Sequence, residues 1–205
     1  MKGLLRKDWY MIRSYCRILV LMCLIFLAVG VISPGNNFFF LAYPVLLGGV
    51  LPVTLLSYDE RFHWPLSCDT MPLSRETVVD ERYLLSLLCF GAFFLLSLAV
   101  QGGVRLLGRE TPPPGALAAL LLPMGLLPTA LMLPVIYRWG VEKGRIVYYV
   151  IIGAVTAAGL IFAEASLTPD STVSLRGGLL SVLLSLGLFA ASWLLSRRIY
   201  GRREL

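Results

Sequence analysis

The residue types most able to bind a metal or act as a nucleophile are sparse in this chain. It has four cysteines and a single histidine, His63, and no two of them show the spacing of metal ligands. A protein zinc site usually takes three or four such ligands, so these residues do not support one. Cys23 and Cys89 lie inside long apolar stretches, whereas Cys16 and Cys68 lie outside them. We interpret all four cysteines as packing thiols.

One segment, residues 57–83, combines both signs of charge with aromatic residues and reads SYDERFHWPLSCDTMPLSRETVVDERY. Its first part predicts a short helical turn that stops at Pro65. Ser74 is a favourable N-cap residue and predicts a helix that runs on into the next apolar stretch. The residues that make this segment a candidate site are Asp59, Glu60, Arg61, Phe62, Trp64, Met71, Pro72, Arg75, Arg82 and Tyr83.

The large apolar side chains of this segment are typical of a docking surface. Interface anchors tend to be aromatic or Met and to be surrounded by a polar rim, and Phe62, Trp64 and Met71 have this setting. The alternative is an amphipathic connection that lies on lipid headgroups. The residues alone leave both interpretations open.

Long apolar runs surround this segment and must position it. Apolar residues make up 58% of the 205 positions and charged residues 15%, against about 45 to 50% and about 25% in soluble proteins. The runs are apolar on all sides and close to the ~20 residues that cross a bilayer as a helix, whereas barrel strands would alternate. We therefore predict an all-α integral membrane fold in a single transmembrane domain, 1–205, with six spans at 18–32, 38–56, 84–104, 116–137, 146–163 and 177–196.

The segment before the first span predicts an amphipathic helix over residues 1–17. One stripe consists of Leu5, Trp9, Ile12 and Cys16, and another of Lys2, Arg6, Arg13 and Arg17. Such a helix would lie along the inner leaflet as an interfacial helix. The alternative is a basic flank that only sets the topology, and the adjacent Trp9 and Tyr10 favour the interfacial helix.

Basic residues predict the orientation. With a cytoplasmic N-terminus, fifteen Lys and Arg fall on the inner side, and only Arg105, Arg109 and Arg176 fall outside. By the positive-inside rule both termini are cytoplasmic, and cleavage of the first span as a secretory signal is disfavoured because seventeen residues precede it. The net charge of +6 then follows from topology and anionic lipid, without a nucleic-acid partner.

The composition of the spans excludes some transport mechanisms. No span carries an ionisable residue near its centre, and such residues usually mark ion or proton routes, so a proton-coupled transporter or ion pump is disfavoured. The second span contains Pro44 and Pro52, and the fourth contains Pro123, Pro128 and Pro134. Proline removes a backbone donor, so we expect kinks or breaks there.

The 57–83 segment resembles small ABC-2 type permeases. The pattern consists of Glu60, Trp64, Met71, Pro72, Leu73, Ser74, Arg75, Val78, Val79, Arg82 and Tyr83. It is similar to an acidic-aromatic stretch followed by a Leu-Pro-x-Ser-Arg element and a Lys-Tyr pair, with Met71 in place of Leu and Arg82 in place of Lys. The opening LLRKDWYMIRSY is similar to the N-terminal Leu-x-Lys-Asp segment of that family.

The resemblance implies a half-permease of an exporter in a bacterial plasma membrane. Two subunits, identical or related, would form the pathway, and residues 57–83 would contain a coupling helix that docks one of two cytosolic ABC ATPases. ATP and Mg²⁺ would bind to that partner, since this chain has no G-x-x-x-x-G-K-[ST] phosphate-binding motif. We therefore predict no enzyme activity and no cofactor in this chain. Similar members export amphipathic peptides, among them phenol-soluble modulins and bacteriocins.

Two other classes of function stay open at this point. A membrane scaffold or immunity protein that does not transport would share the apolar spans. An intramembrane enzyme would need a nucleophile with a base, or an acid with His, at membrane depth, and His63 lies in the charged connection instead.

Overall fold

The structure is a computed structural model, and the part of the chain that it describes contains six helices longer than ten residues. The described residues are 2–32, 38–62, 64, 74–108, 114–144, 146, 150 and 175–201, and within them the regular structure is helical, with no strand. The helices are α1 (Lys2–Tyr15), α2 (Arg17–Ile32), α3 (Phe38–Arg61), α4 (Arg75–Leu106), α5 (Pro114–Trp139) and α6 (Leu175–Gly201).

Four of the described helices, α3 to α6, are long and apolar enough to cross a membrane. Helices α1 and α2 meet at a bend of 73° and together allow a fifth crossing. The predicted spans 18–32, 38–56, 84–104, 116–137 and 177–196 each fall within one helix, from α2 to α6. The remaining predicted span, 146–163, lies almost wholly outside the described residues. The multi-pass helical fold is confirmed by the other helices, and the number of six spans stays a prediction.

Helix α3 lies at the centre and packs against α2, α4 and α5, while α6 packs against α5 and α4. Glycines allow the closest approach. A Cβ on Gly49 would collide with the backbone carbonyl of Gly125 on α5, and a Cβ on Gly48 would be 2.7 Å from the Phe93 ring on α4. Small residues bring helix backbones together in membranes, where packing rather than exclusion of water holds helices in contact.

Apolar side chains at two levels fill the space between these helices. At one end, Val79 and Tyr83 of α4 pack with Ile136 and Tyr137 of α5 and with Tyr200 of α6. A second set joins the other ends of α2 to α5 and consists of Leu27, Leu41, Ala42, Val45, Phe90, Leu117, Leu121 and Leu126.

Helices α3 and α5 both continue through their prolines. Of the kinks or breaks expected at Pro44, Pro52, Pro123, Pro128 and Pro134, the breaks are therefore wrong, and the kinks stay a prediction. Backbone carbonyls of α3 also accept hydrogen bonds from side chains of other helices. Thr129 Oγ1 of α5 donates to the carbonyl of Gly49 on α3, and Ser97 Oγ of α4 donates to the carbonyl of Leu41 at 3.1 Å. These two hydroxyl bonds join α3 to α5 and α4.

Candidate functional site

The two ends of the 57–83 segment belong to neighbouring, packed helices. Helix α3 continues through Asp59 and Glu60 and ends at Arg61, so the helical conformation predicted for these residues is confirmed and they form the last turn of α3. Pro65, where the turn was predicted to stop, lies outside the described residues. The predicted start of the next helix is confirmed: α4 begins at Arg75, and Thr77 N donates to the Oγ of the N-cap residue Ser74 at 3.3 Å.

Arg82 lies at the centre of a buried group of charges. Its Nη1 is 2.9 Å from Asp8 Oδ2 on α1, and its Nη2 donates to Asp59 Oδ2 on α3. Arg82 is 2% exposed and Asp8 is fully buried. A guanidinium presents several donors in a fixed plane, so this side chain links α1, α3 and α4 at one point.

Lys7 closes the group from the side that faces solvent. Its Nζ lies 2.9 Å from Asp59 Oδ1 and 3.1 Å from Asp8 Oδ1. The same ammonium lies 4.3 Å from the centre of the Trp64 ring, which is a cation–π contact. Trp64 follows the end of α3, so the first aromatic part of the 57–83 segment is held against the charges below it.

Glu81 gives the group an excess of acid. It is buried beside Arg82, with its Oε2 4.0 Å from Arg82 Nε. Three carboxyl groups (Asp8, Asp59, Glu81) therefore face two cations (Lys7, Arg82), and we call these five residues the charge cluster. Buried charges are tolerated only when paired, so this cluster makes the relative positions of α1, α3 and α4 interdependent.

Tyr83, the next residue of α4, points to α6 instead. Its hydroxyl lies 2.6 Å from Ser192 Oγ and 2.7 Å from Ser196 Oγ. Ser192 Oγ donates its own hydrogen to the carbonyl of Ala130 on α5 at 2.6 Å, so Tyr83 is the donor to Ser192. Consecutive residues of a helix are about 100° apart around its axis, which is why Arg82 and Tyr83 serve different neighbours.

The first turns of α4 are also tied to α6 at the surface. Trp193 Nε1 donates to Asp80 Oδ1 at 2.8 Å, and Arg197 Nε lies 3.4 Å from the same carboxylate. Arg197 Nη2 also pairs with Glu76. The start of α4 therefore contacts α1 and α3 on one side and α6 on the other through polar groups.

Glu60 links the end of α3 to the connection that follows α5. Its Oε2 accepts a hydrogen bond of 2.9 Å from the backbone N–H of Val141. Gly140, which precedes Val141, has φ of +83°, a conformation that glycine adopts without strain. A groove of about 660 Å³ lies between the two segments and is lined by Thr54, Ser57, Tyr58, Glu60, Arg61, Trp139, Gly140, Val141, Glu142 and Lys143.

Exposed side chains beside this groove form an aromatic patch. Phe62 is 58% exposed and Tyr15 of α1 is also exposed. The Tyr15 ring is centred 4.9 Å from the ring of Tyr58 and 6.0 Å from that of Phe62. Arg61 is exposed at its edge, so the patch has an aromatic centre and a charged rim.

The structure divides the predicted site residues into two groups. Asp59, Arg82 and Tyr83 are buried between helices, so their side chains are not part of an exposed surface, and the docking role expected of them stays a prediction. Arg61 and Phe62 are exposed, and Glu60 and Trp64 are partly exposed. Met71 and Pro72 lie outside the described residues, and of Arg75 only the backbone is described.

The predicted apolar stripe of α1 is also divided. Leu5 and Ile12 pack towards buried Cys16 and Cys23, whereas Trp9 is 65% exposed. Residues of the charge cluster that sequence reasoning missed are Lys7, Asp8 and Glu81. One signal was present, because Asp8 is the only acidic residue among the first 17 and an isolated acid in a basic segment suggests a specific partner.

Of three comparisons with known proteins, one gave a match, and it identifies the family. Comparisons with curated proteins and with solved structures gave no match. Residues 3–201 match the family described as ABC-2 family transporter protein, whose members are membrane components served by an ATPase on a separate subunit. The match covers α1, the charge cluster and the end of α6. The chain therefore belongs to the ABC-2 transporter family and is a multi-pass membrane permease component of an ABC transporter.

Proposed function

We propose that this chain is the half-permease of an exporter of amphipathic or hydrophobic cargo such as peptides. Two copies, or this chain and a related one, form the pathway, and two cytosolic ABC ATPases drive it. The chain acts as a single transmembrane domain of six spans in a bacterial plasma membrane, with both termini in the cytoplasm. ATP and Mg²⁺ bind to the ATPases, and this chain performs no catalysis.

The charge cluster is the observation that carries this proposal. Within the 57–83 segment, α3 ends at Arg61 and α4 begins at Arg75. These two helices are joined by the Asp59–Arg82 contact. A force on this segment therefore reaches α3 and α4 together, and through Asp8 it reaches α1. Packed interfaces with paired charges move as units rather than deform gradually, which is what transmission from an ATPase to a pathway requires.

Docking falls to the exposed part of the segment. Phe62 and the Arg61 rim supply an aromatic anchor with polar surroundings, the composition typical of interface centres. Trp64, Met71, Pro72 and Arg75 extend this surface along the segment in our proposal. Glu60 supports it indirectly, because its bond to Val141 N holds the end of α3 against the connection after α5. Asp59, Arg82 and Tyr83 transmit motion instead of touching the ATPase.

The apolar character of the helices is the basis for the cargo that we propose. Helix α6 exposes a row of leucines, Leu180, Leu183, Leu184, Leu194 and Leu195. These apolar faces contact lipid and the second permease copy. Because the spans carry no central charge, an amphipathic or apolar cargo suits the pathway better than an ion does.

The proposal is tested by co-expression of the chain with the ABC ATPase that partners it. The ATPase should co-purify, and candidate amphipathic peptides should raise nucleotide turnover of the complex reconstituted in vesicles. The double change Phe62→Ala with Trp64→Ala should abolish co-purification. Leu106→Ala, an equally apolar truncation of a side chain that is 91% exposed at the far end of α4, should leave it intact.

Three outcomes would contradict the proposal. An intact complex with full transport after both aromatic changes removes the docking assignment. A folded chain that associates with no ATPase and transports nothing favours the membrane scaffold or immunity protein instead. Hydrolytic activity of the isolated chain would point to the intramembrane enzyme.

A further inference from the structure

A groove lies at the corner where α1 turns into α2. It has a volume of about 630 Å³ and is lined by Trp9, Ile12, Arg13, Arg17 and Val20. The two helices differ in direction by 73°. Helical hydrogen bonds nevertheless continue through the corner, because Cys16 N donates to the Ile12 carbonyl and Val20 N to the Cys16 carbonyl, each at 3.0 Å. The corner is therefore a regular, built feature.

The outer side of this corner is basic without a compensating acid. Asp8 is the only acidic residue in the first 17, and it is fully buried in the charge cluster together with Arg82. Arg13 and Arg17 are exposed, and neither forms an ion pair within the part of the chain that the structure describes. The burial of Asp8 thus leaves two guanidinium groups free to meet an external anion.

The groove changes from charged to apolar along its length. Arg17 is the first residue of α2, and Val20 lies one turn, roughly 5 Å, further along the helix. Ile18 and Leu21 beside it are exposed. At the other end Trp9 is exposed, and tryptophan concentrates at the level of lipid headgroups.

We propose that this groove binds one anionic phospholipid of the inner leaflet, with its phosphate between Arg13 and Arg17. A guanidinium binds phosphate oxygens through paired N–H donors, and the acyl chains would lie along Val20 and the exposed side of α2. The proposal rests on the orientation given in the proposed function. It also assigns different tasks to two faces of α1, since the lipid holds one face while Lys7 binds Asp59 and Asp8 binds Arg82 on the other.

The test compares lipid retention by purified full-length variants. Native mass spectrometry would measure binding of phosphatidylglycerol and of zwitterionic phosphatidylcholine. Each cation near an anionic headgroup strengthens binding by roughly fivefold, so Arg13→Gln with Arg17→Gln should weaken phosphatidylglycerol binding by about 30-fold. The double change Arg13→Lys with Arg17→Lys keeps the charge and should keep most of the preference.

A matched control has the same loss of charge outside the groove. Arg6→Gln with Arg198→Gln removes two exposed arginines and should change binding by less than about threefold. Equal losses in the control and the groove variant would overturn the proposal, as would unchanged binding in the groove variant. Displacement of the lipid by inorganic phosphate alone would overturn the assignment to a phospholipid.

Co-purification of the ATPase, measured on the same samples, separates this proposal from the proposed function. We expect the groove variant to keep its ATPase while it loses the lipid. If the lipid stays and the ATPase also stays, only the lipid site is wrong. If the wild-type chain selects the anionic lipid but binds no ATPase, only the proposed function is wrong.

Discussion

Asp8 and Arg82 are 74 positions apart in the sequence and form an ion pair of 2.9 Å between α1 and α4. Both side chains are almost completely withdrawn from solvent. The N-terminal helix is thus fixed to the base of the 57–83 segment by charge as well as by packing. Because Arg82 also binds Asp59, loss of the one cation disturbs three helices.

Arg82→Met should therefore be the most damaging single change in the charge cluster. It leaves Asp8 and Asp59 with only Lys7, and removal of one partner from a buried ion pair costs about 3 to 5 kcal/mol. The measurement is thermal unfolding of the purified chain in detergent. Arg198→Met, which truncates an exposed arginine, should change stability by less than about 0.5 kcal/mol. Equal melting temperatures for both variants would show that the cluster carries no stability.

Two chemically similar changes in the cluster should have different effects. Asp59→Asn removes a carboxylate that binds both Lys7 and Arg82 and should lower the free energy of unfolding by about 2 to 4 kcal/mol. Glu81→Gln removes the excess acid, whose nearest cation is 4.0 Å away, and should leave stability equal or higher. Chemical denaturation of both variants checks this, and a larger loss for Glu81→Gln than for Asp59→Asn would contradict the charge balance.

Tyr83→Phe should destabilise the contact between α4 and α6 by about 1 to 2 kcal/mol. The change removes the hydroxyl that bonds Ser192 and Ser196 and leaves buried serine oxygens without that partner. Tyr10→Phe is the matched control, because Tyr10 is exposed. The same thermal measurement applies, and a neutral Tyr83→Phe would mean that these hydroxyls do not hold α6 in place.

Gly49→Ala should disrupt the crossing of α3 and α5. The added Cβ would overlap the Gly125 carbonyl, and overpacking of a tight interface typically costs about 1 to 3 kcal/mol. Gly91→Ala on α4 adds the same methyl group into open space and should be neutral or slightly stabilising, since alanine favours a helix. Similar stability of the two variants would contradict the close approach of these helices.

The helices themselves were predictable because each apolar run exceeds what a soluble core needs and ends at charged or turn residues. Ser74 was identified as an N-cap from its residue type and its position before a periodic stretch, and the structure confirms it. Asp59, Glu60 and Arg61 were assigned to a short helical turn outside the preceding span because they are charged. Partners outside α3 allow two of them to complete this helix instead, since Asp59 binds Arg82 on α4 and Glu60 binds Val141 N after α5.

The charge cluster was not predictable from local pattern. Which face of α4 carries Arg82 towards α1 depends on the rotation of packed helices, and sequence spacing does not fix that rotation. Arg82 and Tyr83 were therefore grouped with the exposed Phe62 as one surface, although the structure buries them against different helices. The acidic residue in the basic N-terminal segment was the one local sign of the pairing.

We expect the end of α3 to face the cytoplasm and to meet the ATPase. This is tested most directly by crosslinking of single cysteines introduced by Phe62→Cys or Leu106→Cys after replacement of the four native cysteines. Both positions are exposed, and we place them at opposite ends of the membrane domain. We predict that position 62 is labelled from the cytoplasmic side and crosslinks to the bound ATPase, while position 106 is labelled only from outside. Crosslinking at position 106, or external labelling of position 62, would contradict the account.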